Sequence, residues 1–309
     1  MKKKILVIGS SYMELTMNMY KIPDEGETIN DDGGVAYIPS GSGIGWSVAL
    51  SRLGQSAVLL TKLGHDFHGK QLYTYLCDCG VDTSKVKVDN QSPTDLSAIL
   101  KAGSDVRKIV YEGASELLSR ENVREAFNGD IDALVLSLDL PVEITIFAIG
   151  CAQAKNIPVF LDAKSAGEDY PLESLPPVEV FSPNEKETEA FTGILPIGAQ
   201  DSLRAAISLF RRVKCKYLVI KQGERGSFIY DGKHYFMIPP IKVAGTVDEL
   251  GAGDAFNAGL TVRYLYGGDI KSAVQYGSVV AGIAVTRRGA AASVPSEREV
   301  IEFLEKYTS

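Results

Sequence analysis

Residues 133–162 read ALVLSLDLPVEITIFAIGCAQAKNIPVFLD and contain a pattern from which the fold class follows. Ala133–Ser137 and Val159–Asp162 are short apolar runs without polar alternation, which predicts strands that are buried on both faces. Between them, Val142–Ala154 is apolar over a length that suits a helix. Strand, helix and strand in this order predict a βαβ unit, in which a helix covers two parallel strands.

Apolar runs and amphipathic stretches alternate in the same way on both sides of this unit. Further strands are predicted at Ile5–Gly9, Ala57–Leu63, Val178–Ser182 and Tyr217–Lys221. Further helices are predicted at Ile44–Leu53, Gly69–Cys79, Asn184–Phe191, Ser202–Val213, Asp254–Tyr266 and Ile270–Thr286. Repeated βαβ units of this kind predict an α/β fold with a mostly parallel central sheet covered by helices.

Two segments, residues 12–38 and 96–111, break this alternation. The first contains the alternating stretch Met13–Met19, and the second has two apolar runs around a Gly103-Ser104 turn. Both patterns are typical of antiparallel strands with one polar face. We therefore predict one domain over residues 1–309 that carries a small antiparallel sheet, either as a lid over an active site or as a dimer interface.

The composition is that of a folded protein and excludes several function classes. The 309 residues include 32 Lys plus Arg and 39 Asp plus Glu, a net charge of −7, which argues against a dedicated nucleic-acid partner. The apolar stretch 133–154 is interrupted by Asp139, Pro141 and Glu143, so it does not predict a membrane span. The first apolar run, Ile5–Gly9, is too short for a signal peptide, and the four cysteines form no CxxC pair. These features predict a cytoplasmic protein with free thiols.

The sharpest local motif is Asp248-Glu249-Leu250-Gly251-Ala252-Gly253-Asp254, which leads into a long predicted helix. Glycines at positions 251 and 253 allow backbone N–H groups to approach a ligand, and a helix N-terminus attracts anions. A carboxylate in the first turn, here Asp254, could accept a proton from a hydroxyl group that attacks a phosphoryl group. The spacing alone fits equally well a tight turn in which Asp254 only caps the helix.

A second motif, Asn184-Glu185-Lys186-Glu187, opens a helix after a predicted strand. Asn184 and Glu187 share a helix face and could together orient a hydrated magnesium ion. The same pair fits an N-cap with its capping-box partner, which would explain it without any metal. Residues 64–71 match a phosphate-binding P-loop except at Gln71, where that loop needs Ser or Thr, and we interpret this as a chance match.

In this order and at this spacing, the motifs resemble those of the ribokinase-like (PfkB) carbohydrate kinases over essentially the whole chain. Gly251–Asp254 resembles the family's GAGD signature, and Asn184–Glu187 resembles its NxxE motif. Residues 40–54 occupy the place of the glycine-rich sugar-binding signature, and residues 223–226 resemble the nucleotide-side loop. The resemblance implies a ribokinase-like three-layer sandwich with a small β-sheet lid.

The resemblance also implies an activity, the transfer of a phosphoryl group from ATP to a hydroxyl group of a sugar or sugar-like small molecule. Asp254 would be the catalytic base, and the anion hole would be formed by the amides of Gly251, Ala252 and Gly253. ATP contacts are implied at Asn184, Lys221, Gly223, Glu224 and Gly226. Glu187 would hold Mg²⁺ through water, and K⁺ is implied at positions Asp248, Leu250, Ala284, Arg287, Gly289 and Ser293.

The acceptor side departs from the family pattern. The matching substrate positions are Tyr12, Glu14, Gly41, Ser42, Gly45, Asp139 and Asp254. Five of these residue types differ from those of the family, which has Asn, Asp, Lys, Asn and Glu at the positions of Tyr12, Glu14, Ser42, Gly45 and Asp139. Because sites built from hydrogen bonds discriminate strongly between acceptors, these changes argue against ribose itself.

Two alternatives to a sugar kinase therefore stay open. The first is a nucleoside kinase, which the aromatic residues Tyr12, Trp46 and Tyr111 suggest, and the second is a catalytically silent protein that senses sugars or nucleotides. The hairpin pattern at 96–111, together with the family resemblance, also implies a homodimer formed through the lid.

Overall fold

The computed structural model describes residues 1–30, 33–164, 166–243 and 245–307. Within these ranges the strands are β1 Lys4–Ile8, β2 Tyr12–Asn18, β3 Val35–Ser40, β4 Ser56–Leu60, β5 Lys62–Gly64, β6 Lys87–Asp89, β7 Asp95–Ala102, β8 Asp105–Tyr111, β9 Ala133–Ser137, β10 Val159–Asp162, β11 Val178–Ser182, β12 Cys215–Lys221, β13 Ser227–Tyr230 and β14 Tyr235–Ile238. The α-helices are α1 Ser42–Arg52, α2 Phe67–Asp78, α3 Arg120–Ala126, α4 Val142–Ala154, α5 Glu185–Thr192, α6 Ala199–Arg212, α7 Ala252–Leu265, α8 Ile270–Ala284 and α9 Glu297–Tyr307.

The central sheet has eight strands in the order β14-β13-β12-β11-β10-β9-β1-β4. The strands from β12 to β4 in this order are parallel, and only β13 and β14 at one edge run antiparallel to their neighbours. The βαβ unit predicted from residues 133–162 is confirmed with its boundaries unchanged, as β9, α4 and β10. The prediction of a mostly parallel sheet is therefore confirmed.

Helices cover both faces of this sheet. Successive residues of β1 point to opposite sides, so that Ile5 and Val7 belong to the core layer that includes α1, α2, α7, α8 and α9, whereas Leu6 and Ile8 belong to the layer that includes α3, α4, α5 and α6. All four side chains are at most 1% exposed. Burial on both faces explains why the central strands are continuous apolar runs and not alternating ones.

Several elements differ from the sequence prediction. The predicted helices other than α4 shift at their ends by a few residues, with α1, for example, beginning at Ser42 and not at Ile44. Helices α3 and α9 and the edge strands β13 and β14 were not predicted. The strands of the β13–β14 pair are only four residues each, and short apolar runs of this kind carry a weak periodic signal.

The small sheet has four strands in the order β3-β2-β7-β8. The β7–β8 hairpin is confirmed, with Gly103 at its turn in the left-handed region at φ 60°. The prediction of a purely antiparallel sheet is wrong at the centre, where β2 and β7 are parallel. These two strands are not joined by a hairpin, because α1 and α2 lie between them in the chain, and they enter the sheet in the same direction.

No helix in the described part of the chain combines the length and the apolar character needed to cross a membrane. The stretch 133–154 instead supplies β9 and α4, both of which belong to the layers described above.

Candidate active site

A cavity of about 970 Å³ lies where the small sheet, the ends of β10 and β12 and the start of α7 meet. Asp162 is the last residue of β10 and Lys221 the last residue of β12, so the cavity is at the carboxyl edge of the parallel strands, where α/β folds bind ligands. Most of the predicted site residues line it, namely Tyr12, Glu14, Gly41, Gly45, Asn184, Glu187, Lys221, Gly223, Glu224, Gly226, Leu250, Gly251, Ala252, Gly253 and Asp254. The predicted residues outside its walls are Ser42, Asp139, Asp248, Ala284, Arg287, Gly289 and Ser293.

The start of α7 forms one wall of the cavity. Gly251 adopts the left-handed conformation at φ 83°, and a Cβ atom there would lie 2.9 Å from the carbonyl carbon of Ala290. Glycine is therefore required both by the backbone angle and by the close approach of the neighbouring loop. The first-turn residues Ala252, Gly253 and Asp254 border the cavity, and such amides have no partner within their own helix, although the Ala252 amide donates to the Glu249 carbonyl at 3.1 Å. This wall can bind an anion, as the GAGD motif predicts.

Asp254 lies in the first turn of α7 with its side chain 13% exposed. Both of its carboxylate oxygens accept hydrogen bonds from the Lys164 Nζ atom, at 3.0 and 3.1 Å. Burial raises the pKa of Asp254 above its usual value, and the Lys164 ammonium group opposes this rise. Asp254 does not cap α7, because Gly251 is the N-cap residue and Asp254 itself is helical. The interpretation of Asp254 as only a cap is therefore excluded.

A polar cluster beneath Asp254 ties α7 to the sheet. The Asp162 carboxylate accepts a hydrogen bond from Lys221 Nζ at 2.7 Å and another from Asn257 Nδ2 at 2.9 Å. Lys221 Nζ also lies 3.8 Å from the position that a Cβ atom on Gly253 would take. The ammonium group of Lys221 is therefore next to the first turn of α7, where it would add positive charge for a bound phosphate group.

Asn184 and Glu187 form a reciprocal capping box at the start of α5. The Glu187 amide donates to Asn184 Oδ1 at 2.9 Å, and the Asn184 amide donates to Glu187 Oε2 at 2.7 Å. The capping interpretation is therefore correct, and it does not exclude the ligand-binding one, because both residues also line the cavity. Asn184 is next to Lys221 through an isolated parallel bridge, so the start of α5 and the end of β12 form one surface.

The residues present fit a magnesium ion that keeps its water ligands better than one whose ligands are all protein side chains. Among the residues that the structure describes, no three His, Cys, Asp or Glu side chains come together in a metal-binding cluster. Mg²⁺ usually keeps several waters and binds through one or two carboxylates together with phosphate groups. Glu187 at the cavity wall suits this mode of binding.

The loop Gly223–Gly226 turns from β12 into β13 and borders the cavity. Gly226 has φ 88°, and a Cβ atom there would lie 2.0 Å from the Ile238 carbonyl oxygen. Only glycine can therefore bring this loop against β14. Gly223, Glu224 and Gly226 all line the cavity, which agrees with the predicted nucleotide-side loop.

The small sheet also supplies part of the cavity wall. Tyr12 and Glu14 lie on β2, and Lys108 reaches over them from β8, with its Nζ 4.0 Å from Glu14 Oε2 and 5.7 Å from the Tyr12 ring centroid. Glu14 is 5% exposed, so its carboxylate is a buried acceptor at the cavity wall. Such a group binds a hydroxyl or an amino group of a ligand well.

Two predicted substrate residues, Ser42 and Asp139, are instead part of a hydrogen-bonded cluster behind the cavity. Asp139 accepts from the hydroxyl groups of Ser10 at 2.7 Å, Ser42 at 3.0 Å and Ser137 at 2.8 Å. This cluster joins the ends of β1 and β9 to the start of α1, so it supports the wall in which Gly41 and Gly45 lie. Ser42 and Asp139 therefore do not line the cavity themselves but contact the elements that do.

The residues predicted for potassium lie at positions 248–250, at the end of α8 and in the segment that follows α8, near Gly251. Asp248 accepts from the Leu250 amide at 3.0 Å and from the Gly289 amide at 3.4 Å, which joins residues 248–250 to residues 284–293. The Arg287 guanidinium group binds Glu299 at 2.7 Å, and the Ser293 hydroxyl donates to the Ala290 carbonyl at 2.7 Å. Carboxylate and carbonyl oxygens from these segments are a donor set that suits a hard cation.

The residues that resemble a P-loop lie elsewhere. Asp66 is the N-cap of α2, accepting from the Gly69 amide at 2.7 Å, and it also binds the Thr94 amide at 2.7 Å. None of residues 64–71 lines the cavity. Their glycines and aspartate serve to join α2 to the strand β7.

Among the polar residues of the site that were not predicted are Lys108, Asp162, Lys164 and Asn257. The sequence could have predicted two of them. Asp162 ends a predicted buried strand and Lys164 follows it, and residues at such strand ends face ligands. Lys108 and Asn257 carry no comparable signal, because a lysine in a hairpin and an asparagine in a helix are ordinary surface residues.

Comparison with known proteins identifies the family of the chain. A model of the pfkB family carbohydrate kinases matches residues 2–297, so the chain belongs to the pfkB family. The ribokinase of Haemophilus influenzae is 29% identical over 309 residues, which are 99% of each chain. The deoxyribokinase of Salmonella typhi is 28% identical over 303 residues, covering 97% of this chain and 98% of that one.

The fold comparison gives the same result. The structure of Arabidopsis thaliana ribokinase complexed with ribose and ATP matches with a TM-score of 0.88 at 25% identity, covering 98% of this chain and 99% of that one. The ribokinase-like fold implied by the motifs is therefore confirmed. With the family match, this makes the protein an ATP-dependent carbohydrate kinase.

Proposed function

We propose that this kinase transfers the γ-phosphoryl group of ATP to a hydroxyl group of a sugar or sugar-like small molecule, with Asp254 as the general base. One observation carries the assignment of roles. A single cavity contains Asp254 and the N-terminus of α7 together with the small-sheet residues Tyr12 and Glu14 and the loop Gly223–Gly226. The acceptor would bind at the small-sheet end and ATP at the loop end.

The proposed reaction needs a base and a site for negative charge. The Asp254 carboxylate takes the proton of the acceptor hydroxyl group while the acceptor oxygen forms a bond to the γ-phosphorus. The bond between the γ-phosphorus and the β-phosphate oxygen breaks, which releases ADP. The first-turn amides of α7 stabilise the charge on the transferred group, and Lys221 adds a positive charge beside them. Mg²⁺ bound with ATP would neutralise phosphate charge, with Asn184 and Glu187 positioning its water shell.

We also propose that K⁺ binds where residues near Asp248 and Gly289 come together. A cation there would bind next to Gly251 and support the conformation of the anion-binding wall. Its ligands would be the Asp248 and Ser293 side chains and the carbonyl oxygens of Leu250, Ala284, Arg287 and Gly289. This proposal rests on the oxygen donors in the joined segments.

A panel assay tests the proposed function. ADP formation from ATP and Mg²⁺ is measured with ribose, deoxyribose, ketoses, polyols and nucleosides, alongside thermal unfolding with each compound. We expect a sugar or polyol to give both ADP formation and a raised Tm. Turnover of nucleosides alone would replace the sugar assignment with a nucleoside kinase. No turnover with any compound, together with ligand-induced stabilisation, would indicate a sensor.

We also propose that the protein forms a homodimer through the small sheet. Its strands β3 and β8 expose apolar side chains that are each more than half exposed, namely Val35, Tyr37, Val106, Ile109, Val110 and Tyr111. An apolar patch of this kind on a sheet is typical of a protein interface, and a second copy of the same sheet is its simplest partner.

The variant Ile109→Lys is expected to convert the dimer to a monomer, because it puts a charge into the apolar patch. Light scattering after size-exclusion chromatography measures the mass. The matched control is Ile301→Lys on α9, where an exposed isoleucine lies outside the small sheet. A monomeric wild-type protein, or a dimer that Ile109→Lys leaves intact, would contradict the interface.

We further propose the cytoplasm as the site of action. The four cysteines are all unpaired in the structure, which suits a reducing compartment, and ATP is available there.

A further inference from the structure

The ion pair between Lys164 and Asp254 has no counterpart among the motifs that define the rest of the site. The Lys164 ammonium group contacts both oxygens of the carboxylate, at 3.0 and 3.1 Å. The Lys164 side chain is 28% exposed and, like Asp254, lines the cavity. Lys164 therefore holds the proposed base on one side and would also contact an acceptor bound in the cavity.

Two fixed elements determine this contact. Lys164 follows the end of β10 by two residues, and Asp254 precedes Asn257 by nearly one turn of α7. The hydrogen bond between Asn257 and Asp162, the last residue of β10, connects the same strand end to the same helix at 2.9 Å. This hydrogen bond joins the strand end to the helix next to the ion pair, and it therefore keeps Lys164 close to Asp254.

The other side of the carboxylate is limited by Gly45 in α1. A Cβ atom on Gly45 would lie 2.0 Å from Asp254 Oδ2, so the carboxylate fills the space that a side chain would take. Asp254 is thus confined between the backbone of α1 and the ammonium group of Lys164. Its orientation depends on both neighbours.

The charged groups around Asp254 shift its pKa in opposite directions. Burial raises the pKa of Asp254, Lys164 lowers it, Asp162 raises it and Lys221 lowers it. From β2, the Tyr12 hydroxyl group is also near both members of the pair. Burial alone would lower the pKa of Lys164, but Asp254 and Asp139 outweigh this and raise it. Lys164 therefore keeps its proton, and its charge is the largest influence that favours an ionised Asp254.

We propose that Lys164 is a positioning residue for phosphoryl transfer, which keeps the Asp254 carboxylate ionised and oriented toward the acceptor hydroxyl group. This inference rests on the proposed role of Asp254 as the base. A carboxylate has about four lone-pair positions, and Lys164 occupies two, which leaves room for the acceptor O–H group. During the reaction the acceptor proton moves to Asp254, the oxygen–phosphorus bond forms, ADP leaves, and Lys164 retains its own proton.

The test compares Lys164→Met with Lys164→Arg and with the control Lys216→Met. Lys216 also pairs with a carboxylate, Glu179 at 2.6 Å, but lies five residues before Lys221 on β12 and away from the cavity. Two readouts are measured: the acid limb of the pH profile of kcat/KM, and the ¹³C NMR titration of the Asp254 carboxyl carbon, identified by its loss in Asp254→Asn. The NMR titration does not require any turnover.

In Lys164→Met we expect both readouts to move to higher pH by about 1–3 units, since an opposite charge at this distance lowers a carboxyl pKa by that amount. The sign follows from the loss of a charge that favoured the ionised form, so that Asp254 protonates at a higher pH. Activity of Lys164→Met should therefore recover partly as the pH rises. Lys164→Arg should restore the wild-type profile, and Lys216→Met should not change it.

Several results would overturn the inference. An unchanged NMR titration in Lys164→Met would show that Lys164 does not control the ionisation of Asp254. A raised KM for the acceptor with an unmoved acid limb would instead make Lys164 a direct substrate contact. Absence of turnover in the wild-type protein would contradict the proposed function, whereas the NMR titration would still decide the pairing of Lys164 with Asp254.

Discussion

The variant Asp254→Asn is expected to lower kcat by roughly 10²–10⁴-fold, the contribution typical of a positioned general base. The amide has nearly the shape of the carboxylate but cannot accept the acceptor proton. Binding of ATP should be almost unchanged, because the amides of Gly251–Gly253 and Lys221 stay in place. Initial rates at saturating ATP and acceptor measure kcat, and calorimetry measures ATP binding.

The matched control for Asp254→Asn is Asp78→Asn at the exposed end of α2, outside the cavity. This control should keep the wild-type kcat. Thermal unfolding of both variants shows whether the fold is preserved. A kcat within threefold of wild type in a folded Asp254→Asn protein would contradict the role of Asp254 as base.

Gly45→Ala is expected to reduce kcat by about 10²-fold, because misplacing a catalytic group by ~1 Å costs that much. The added Cβ would lie 2.0 Å from Asp254 Oδ2, so the carboxylate must rotate away from its present position. Intrinsic helix propensity acts in the other direction, since Ala in a helix is favoured over Gly by about 1 kcal/mol. Activity should therefore fall much more than the free energy of unfolding, which steady-state kinetics and urea denaturation measure together.

The matched control is Gly150→Ala in the helix α4, where an added Cβ atom meets no other atom within 4 Å. We expect an unchanged kcat and an equal or slightly higher free energy of unfolding for this variant. If Gly45→Ala kept the wild-type kcat, the position of the Asp254 carboxylate would not limit the reaction. If Gly45→Ala unfolded the protein, the close contact would be a packing constraint of α1 alone.

The parallel part of the central sheet could be predicted because its strands are buried on both faces. The βαβ unit at residues 133–162 is apolar at nearly every strand position, and its boundaries were correct. The small sheet was predicted only in part. A hairpin such as β7–β8 is a local feature of the sequence, whereas the parallel pairing of β2 with β7 depends on the path of the chain through α1 and α2.

The site could be predicted where its residues lie in continuous motifs. Gly251–Asp254 and Asn184–Glu187 both reach the cavity, and for the second pair the capping box is present as well. The pairing of Lys164 with Asp254 joins positions 90 residues apart, which no local spacing reveals. The contacts of Asp139 also join distant positions, since it accepts from the hydroxyl groups of Ser10, Ser42 and Ser137, and its predicted role as a substrate contact stays a prediction.

The most direct test of the proposed mechanism is to identify the product. Wild-type protein is incubated with ATP, Mg²⁺ and the acceptor found in the panel, and the products are analysed by mass spectrometry and ³¹P NMR. We predict that the acceptor gains one phosphoryl group as a phosphate monoester, in equal amount to ADP, and that Asp254→Asn forms almost none. Release of inorganic phosphate with an unchanged acceptor, or equal product from Asp254→Asn, would contradict phosphoryl transfer to a hydroxyl group activated by Asp254.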